Sequence, residues 1–166
     1  FYTTPGGKGA NQAVAIARLG LPTHLVGRVG NDAFGPELLA ALGQAGVDTR
    51  GVVVDDSVHS GVAVITVADT GENQIIGVLG ANDRLDQTDI QRLERYLPAA
   101  DLLLLQLEIP LAIAQAAAQT AKQAGVKVML DPAPVPPESL ISLYPWVDFL
   151  LPNEVEASQL VGFPVT

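Results

Sequence analysis

Apolar residues recur along this chain in two rhythms, one helical and one extended. From Ala10 to Leu19 the spacing predicts a helix, ended by Gly20. His24–Val29 reads as a short strand. Pro36–Gln44 reads as a second helix, with Asn31 or Asp32 placed to cap it and Gly46 to stop it. Val52–Val54 is a short β-branched run. Gly61–Ala68 (GVAVITVA) and Gln74–Leu79 (QIIGVL) are strands flanking DTGEN, a hairpin turn signal. Asp86–Tyr96 is a polar helix. The texture then changes to the almost wholly apolar strand Leu102–Leu107 (LLLLQL) and the alanine-rich helix Leu111–Ala124. Strand Lys127–Leu130, a short helix Pro137–Leu143, strand Val147–Leu151 and helix Glu154–Val161 complete the pattern.

Apolar strands alternating with helices indicate a parallel sheet covered on both faces. The Gly61–Leu79 hairpin interrupts that alternation. It is antiparallel and is expected to stand off the main sheet as a lid. The sequence has no repeat, low-complexity segment or linker.

The composition narrows the function. A chain of 166 residues that is 48% hydrophobic has enough apolar material for one sizeable core. Its formal net charge of −9 argues against nucleic acid or an anionic membrane as partner. There is no cysteine, so disulfides and thiolate metal sites are excluded, and the absence suits a cytoplasmic protein. No apolar run reaches the ~18 residues of a membrane span. The start, FYTT, is not a signal peptide, and neither end reads as a natural terminus.

Candidate chemistry begins with PGGKGANQ, residues 5–12. It fails the phosphate-binding G-x-x-x-x-G-K-[ST] pattern, because Tyr2 replaces the first glycine and Gly9 follows Lys8. It fails the dinucleotide G-x-G-x-x-G pattern because Gln12 stands in the last position. What remains is a glycine loop entering a helix N-terminus. Such a loop lets backbone N–H groups approach a ligand, and Asn11 offers a donor and an acceptor to a hydroxyl. A tight turn with a solvated Lys8 accounts for the same residues. Glu108, Asp131 (in DPAP) and the pair Asn153 and Glu156 (in PNEVE) each follow an apolar strand, at the carboxyl edge where open α/β sheets bind ligands. Asn153 and Glu156 also fit an ordinary helix-capping box. His24 and His59 lack metal-ligand partners at suitable spacing.

The run GGKGANQAVAIARLG, followed in order by GVLGAN, LQLEIP, DPAP and PNEVEA, resembles the ribokinase/PfkB carbohydrate kinase family over the whole chain. The resemblance implies a Rossmann-like three-layer α/β/α sandwich over 1–166, with lid strands inserted at roughly 52–80. It implies ATP-dependent phosphorylation of the terminal hydroxyl of ribose or a related sugar, with Mg2+ and, in some members, a monovalent cation. Gly6, Gly7, Lys8, Asn11 and Glu108 would then bind the sugar. Asn153 and Glu156 match the family's N-x-x-E motif, which organises the ATP phosphates and reaches magnesium through water. The lid strands imply a homodimer. Asp131 stands where many members have Asn. The family's first strand, anion hole and catalytic base have no counterpart in this sequence, so the resemblance implies an incomplete, inactive portion of the fold. A non-catalytic sugar-binding module on the same fold is the alternative from another class.

Overall fold

The computed structural model describes residues 2–165; Phe1 and Thr166, the ends of the expected 1–166 span, lie outside the described residues. The chain enters helix α1 (Lys8–Arg18) through Gly7, whose φ of 94° only glycine adopts without strain. Strand β1 (His24–Gly30) follows, then helix α2 (Gly35–Gln44) and strand β2 (Asp48–Asp55). β1 and β2 pair in parallel. Asp32, not Asn31, caps α2: its Oδ1 accepts from the N–H groups of Phe34 at 3.0 Å and Gly35 at 2.9 Å. Asn31 instead donates to Asp56.

β2 is longer than the Val52–Val54 run suggests and belongs to the parallel strands. The freestanding antiparallel ribbon therefore begins later than position 52. It consists of β3 (Val62–Val67) and β4 (Asn73–Val78), and every residue of both strands is exposed. The expected lid is thus a separate two-stranded sheet.

Helix α3 (Gln87–Leu93) leads to β5 (Leu102–Leu105), α4 (Leu111–Gln123), β6 (Lys127–Leu130), β7 (Phe149–Leu150) and α5 (Glu154–Val161). β5, β6 and β7 form a second parallel group in that order. Among the described residues the parallel strands thus make two sheets rather than one continuous sheet. The expected helix over Pro137–Leu143 is absent. Bends and turns replace it, with a single 3-10 turn at Tyr144–Trp146. Only Pro137 falls inside that span, at a first-turn position that a helix tolerates, and the segment instead buries Leu140 and Leu143 in the larger core without forming a helix.

The layering is visible along β1. Leu25 packs with Ala13 of α1, Leu42 of α2 and Val47 just before β2, whereas Val26 packs on the larger core of Ile90, Leu105, Val128 and Leu130. Successive strand residues point to opposite faces, so β1 is covered on both. In α4, Ala114, Ala117, Ala118 and Ala121 are all buried, a small-residue face that lets the helix lie close to β5 and β6.

One polar cluster joins the two halves. Arg28 of β1 lies 2.6 Å from Asp89 and 2.9 Å from Asp86, both near α3, and 3.4 Å from Asp55 at the end of β2. Asp89 is 1% exposed and also pairs with Arg92 at 2.6 Å. A carboxylate is tolerated at that depth because it is paired and hydrogen-bonded. The helix that reads as polar in sequence turns this acid inward beside Ile90 and Leu93.

Candidate functional site

The first turn of α1 is the centre of the site. A helix N-terminus leaves backbone N–H groups unpaired and favours negative charge. Glu108 takes that place: its Oε2 accepts from the N–H of Lys8 at 3.0 Å, while its Oε1 lies 3.8 Å from Lys8 Nζ. The glycine loop and the acid after β5, one hundred residues apart, are thus brought into direct contact. The carboxylate is partly exposed, so it remains open to a ligand while its position is fixed from the backbone.

Gly6 and Asn11 lie on the adjoining surface. Together with Pro5, Ala10, Val14 and Leu38 they line a cleft of about 240 Å³ between α1 and α2. Glu108 does not line it. The predicted residues therefore fall on two neighbouring surfaces of one loop: Lys8 and Glu108 on one, Gly6 and Asn11 on the other.

Asp131, at the end of β6, stands behind the loop. It accepts a hydrogen bond from Gln12 Nε2 at 3.0 Å. Gln12 Oε1 in turn accepts from Gln106 Nε2. Burial, then the negative charge of Glu156, hold the Asp131 carboxyl above its ordinary range; Glu108 adds to this, while Lys8 and Gln12 oppose it. Glu108, Asp131 and Glu156 all follow strands at their carboxyl ends.

Asn153 and Glu156 form a reciprocal cap at the start of α5. Glu156 N–H donates to Asn153 Oδ1 and Asn153 N–H donates to Glu156 Oε2, each at 2.8 Å. The capping reading of the sequence is therefore present in the structure. One Glu156 oxygen remains outside the cap. Among the described residues no group of three or more His, Cys, Asp or Glu side chains is arranged to enclose a metal ion. None of the described helices is long and apolar enough to cross a membrane.

Gln12 and Gln106 are the residues that sequence reasoning misses. Both lie inside motifs that it singles out, PGGKGANQ and LQLEIP, but nothing in one dimension pairs two amides 94 residues apart. The histidines have structural partners: His24 meets Asp48 at 2.9 Å, and His59 meets the Ser60 carbonyl at 2.7 Å.

Known proteins resemble this chain in sequence and in fold. The chain is 42% identical over 166 residues to the ribokinase of Schizosaccharomyces pombe, covering 98% of this chain and 52% of that protein. It is 39% identical over 160 residues to the deoxyribokinase of Salmonella typhi, covering 96% and 52%. The structure of Arabidopsis thaliana ribokinase complexed with ribose and ATP superposes with a TM-score of 0.83 at 39% identity, over 96% of this chain and 52% of that one. The chain spans about half the length of the curated relatives it matches. The fold is therefore the ribokinase-like α/β sandwich, present in part. The family description "pfkB family carbohydrate kinase" matches residues 1–166, and the chain belongs to that family.

Proposed function

We propose that the full-length protein is an ATP-dependent kinase that phosphorylates the terminal hydroxyl of ribose, giving ribose 5-phosphate. The observation that carries this reading is the placing of Glu108 on the first turn of α1, beside the Gly6–Gly7 loop. A carboxylate fixed there accepts hydrogen bonds from sugar hydroxyls, and Gly6, Gly7, Lys8 and Asn11 supply the surrounding donors. Asn153 and Glu156 serve the phosphate side. Magnesium is commonly held by one or two carboxylates together with water and substrate phosphates, not by an all-protein cage. One free Glu156 oxygen suits such an ion, reached through water. The ion would neutralise charge on the phosphates; the chain's own part is to hold sugar and phosphate in line. The cysteine-free sequence suits the cytoplasm.

Release of ADP, measured in a coupled assay with ribose and ATP, tests the proposal. Ribose-dependent turnover is the expected result. Preferential turnover of deoxyribose would move the assignment to the second relative's substrate, a sugar with one hydroxyl fewer. Ribose binding by calorimetry without any turnover would support a binding module instead.

The lid leads to a second prediction, that the full-length protein is a homodimer. In the β3–β4 register, Val62, Val64, Ile76 and Val78 share one face, and Ile65, Ile75 and Val67 share the other. An isolated two-stranded ribbon is marginal in water, and this one exposes apolar side chains on both faces. One face is assigned to the sugar site and the other to a second copy. Sedimentation at micromolar concentration should give a dimer; a monomer would reject this part of the reading.

A further inference from the structure

We propose that Asp131 is a positioning residue whose carboxylate fixes the direction of the Gln12–Gln106 hydrogen-bond chain and so sets the first turn of α1 against the ends of β5 and β6. The kinetic part of this inference rests on the sugar-kinase reading; the structural part does not.

What each group is able to donate decides the arrangement. A carboxylate accepts hydrogen bonds and donates none. An amide donates at one end and accepts at the other. Facing Asp131 Oδ2, Gln12 must present its NH2 group, and Nε2 stands there at 3.0 Å. Gln12 Oε1 is thereby turned away, and it accepts from Gln106 Nε2. Gln106 in turn must direct its own Oε1 elsewhere. That oxygen lies over Gly9, where an added Cβ would come within 3.0 Å of it. Two freely rotatable amides thus have one orientation, imposed by a single acid at the far end of the chain. The absence of a side chain at Gly9 makes room for the last oxygen.

The consequence is mechanical. Gln12 is the second residue after Ala10 on α1, Gln106 follows β5 immediately and Asp131 follows β6 immediately. Glu108, two residues beyond Gln106, holds the N–H of Lys8. The amide chain and the Glu108 contact therefore grip the same turn of α1 from two points. An asparagine at 131 is nearly isosteric but presents either its oxygen or its NH2 to Gln12, so the orientation ceases to be unique.

The test uses three variants of the full-length protein: Asp131→Asn, Gln12→Glu and the double variant. Gln12→Glu sets a second carboxylate against Asp131, and should lower Tm by roughly 5 °C and raise the sugar KM about tenfold. Adding Asp131→Asn should recover more than half of both losses, because the asparagine NH2 then donates to Glu at position 12 while Gln106 continues to donate to it. If Gln12→Glu fails to fold, recovery of folded protein in the double variant is the same rescue. Asp131→Asn alone should raise the sugar KM about threefold, with the ATP KM within about twofold, a split that a general loss of packing would not give. A double variant no better than Gln12→Glu, or a harmless Gln12→Glu, would overturn the inference. Rescue of Tm in a protein without sugar-kinase turnover would leave the inference standing and reject the proposed function alone.

Discussion

Glu108→Gln in the full-length protein should weaken ribose binding by about ten- to a hundredfold and leave ATP binding within a few-fold. The size follows from hydrogen bonds to a charged acceptor, about 1.5–3 kcal/mol each. The neutral amide is the same shape, so its oxygen still takes the N–H of Lys8, now held at 3.0 Å by the carboxylate. What is lost is the charge that faces Lys8 Nζ at 3.8 Å and the second acceptor oxygen offered to sugar hydroxyls. The fold should therefore persist while the sugar site weakens. Glu156→Gln is the converse. It should weaken ATP binding and shift the magnesium requirement upward, with ribose affinity nearly unchanged, if the proposed assignment of Asn153 and Glu156 to the phosphates holds. Separate titrations of each ligand against both variants provide the check. Equal losses for both ligands would show that the roles are misassigned.

The parts of the site that one dimension reveals are those tied to regular elements. Glu108, Asp131 and Glu156 could be placed on one edge because each follows an apolar run that is a strand in the structure. The hairpin was legible because its turn and its alternation are both local. What stayed hidden depends on distant partners. Asp89 sits in a segment that reads as a polar helix, and its burial depends in part on Arg28, 61 residues away. The β-branched run Val52–Val54 marks only part of β2, which begins at Asp48, in register with His24. The segment Pro137–Leu143, which reads as a short helix, runs as bends and turns that still bury Leu140 and Leu143 in the larger core.

Removing the Asp32 carboxylate should produce the largest loss of stability of any change at the root of the lid. Asp32 Oδ2 accepts from the Ser60 N–H at 2.7 Å, and Oδ1 accepts from the Ser60 hydroxyl at 2.9 Å. The same Oδ1 caps α2, and the Ser60 hydroxyl receives the N–H of Gly30 at 3.0 Å. Ser60 is completely buried, one residue before the exit at Gly61 into the ribbon. Space there is tight: a Cβ at Gly30 would meet Ser60 N at 2.4 Å, and one at Gly80, on the returning leg, would meet the His59 carbonyl at 2.4 Å. With neither leg free to shift, the donors left by Asp32→Ala find no other partner, and each buried unsatisfied group costs about 1–3 kcal/mol. The expected loss is about 3 kcal/mol, read as a lower denaturation midpoint, with faster hydrogen exchange through β3 and β4. The pH dependence carries a sign. Burial pushes the Asp32 carboxyl up, but the Ser60, Gly35 and Phe34 hydrogen bonds outweigh it and hold it at about 2, against an ordinary 3.8. Its folded value is depressed, so its contribution is complete above the ordinary value and disappears as pH falls through about 2. The stability gap between the native protein and Asp32→Asn, which cannot accept from the Ser60 N–H with its NH2 end, should therefore be constant near neutrality and close between about pH 4 and pH 2. A gap that is absent at pH 7, or that widens in acid, would show that Asp32 does not anchor the lid.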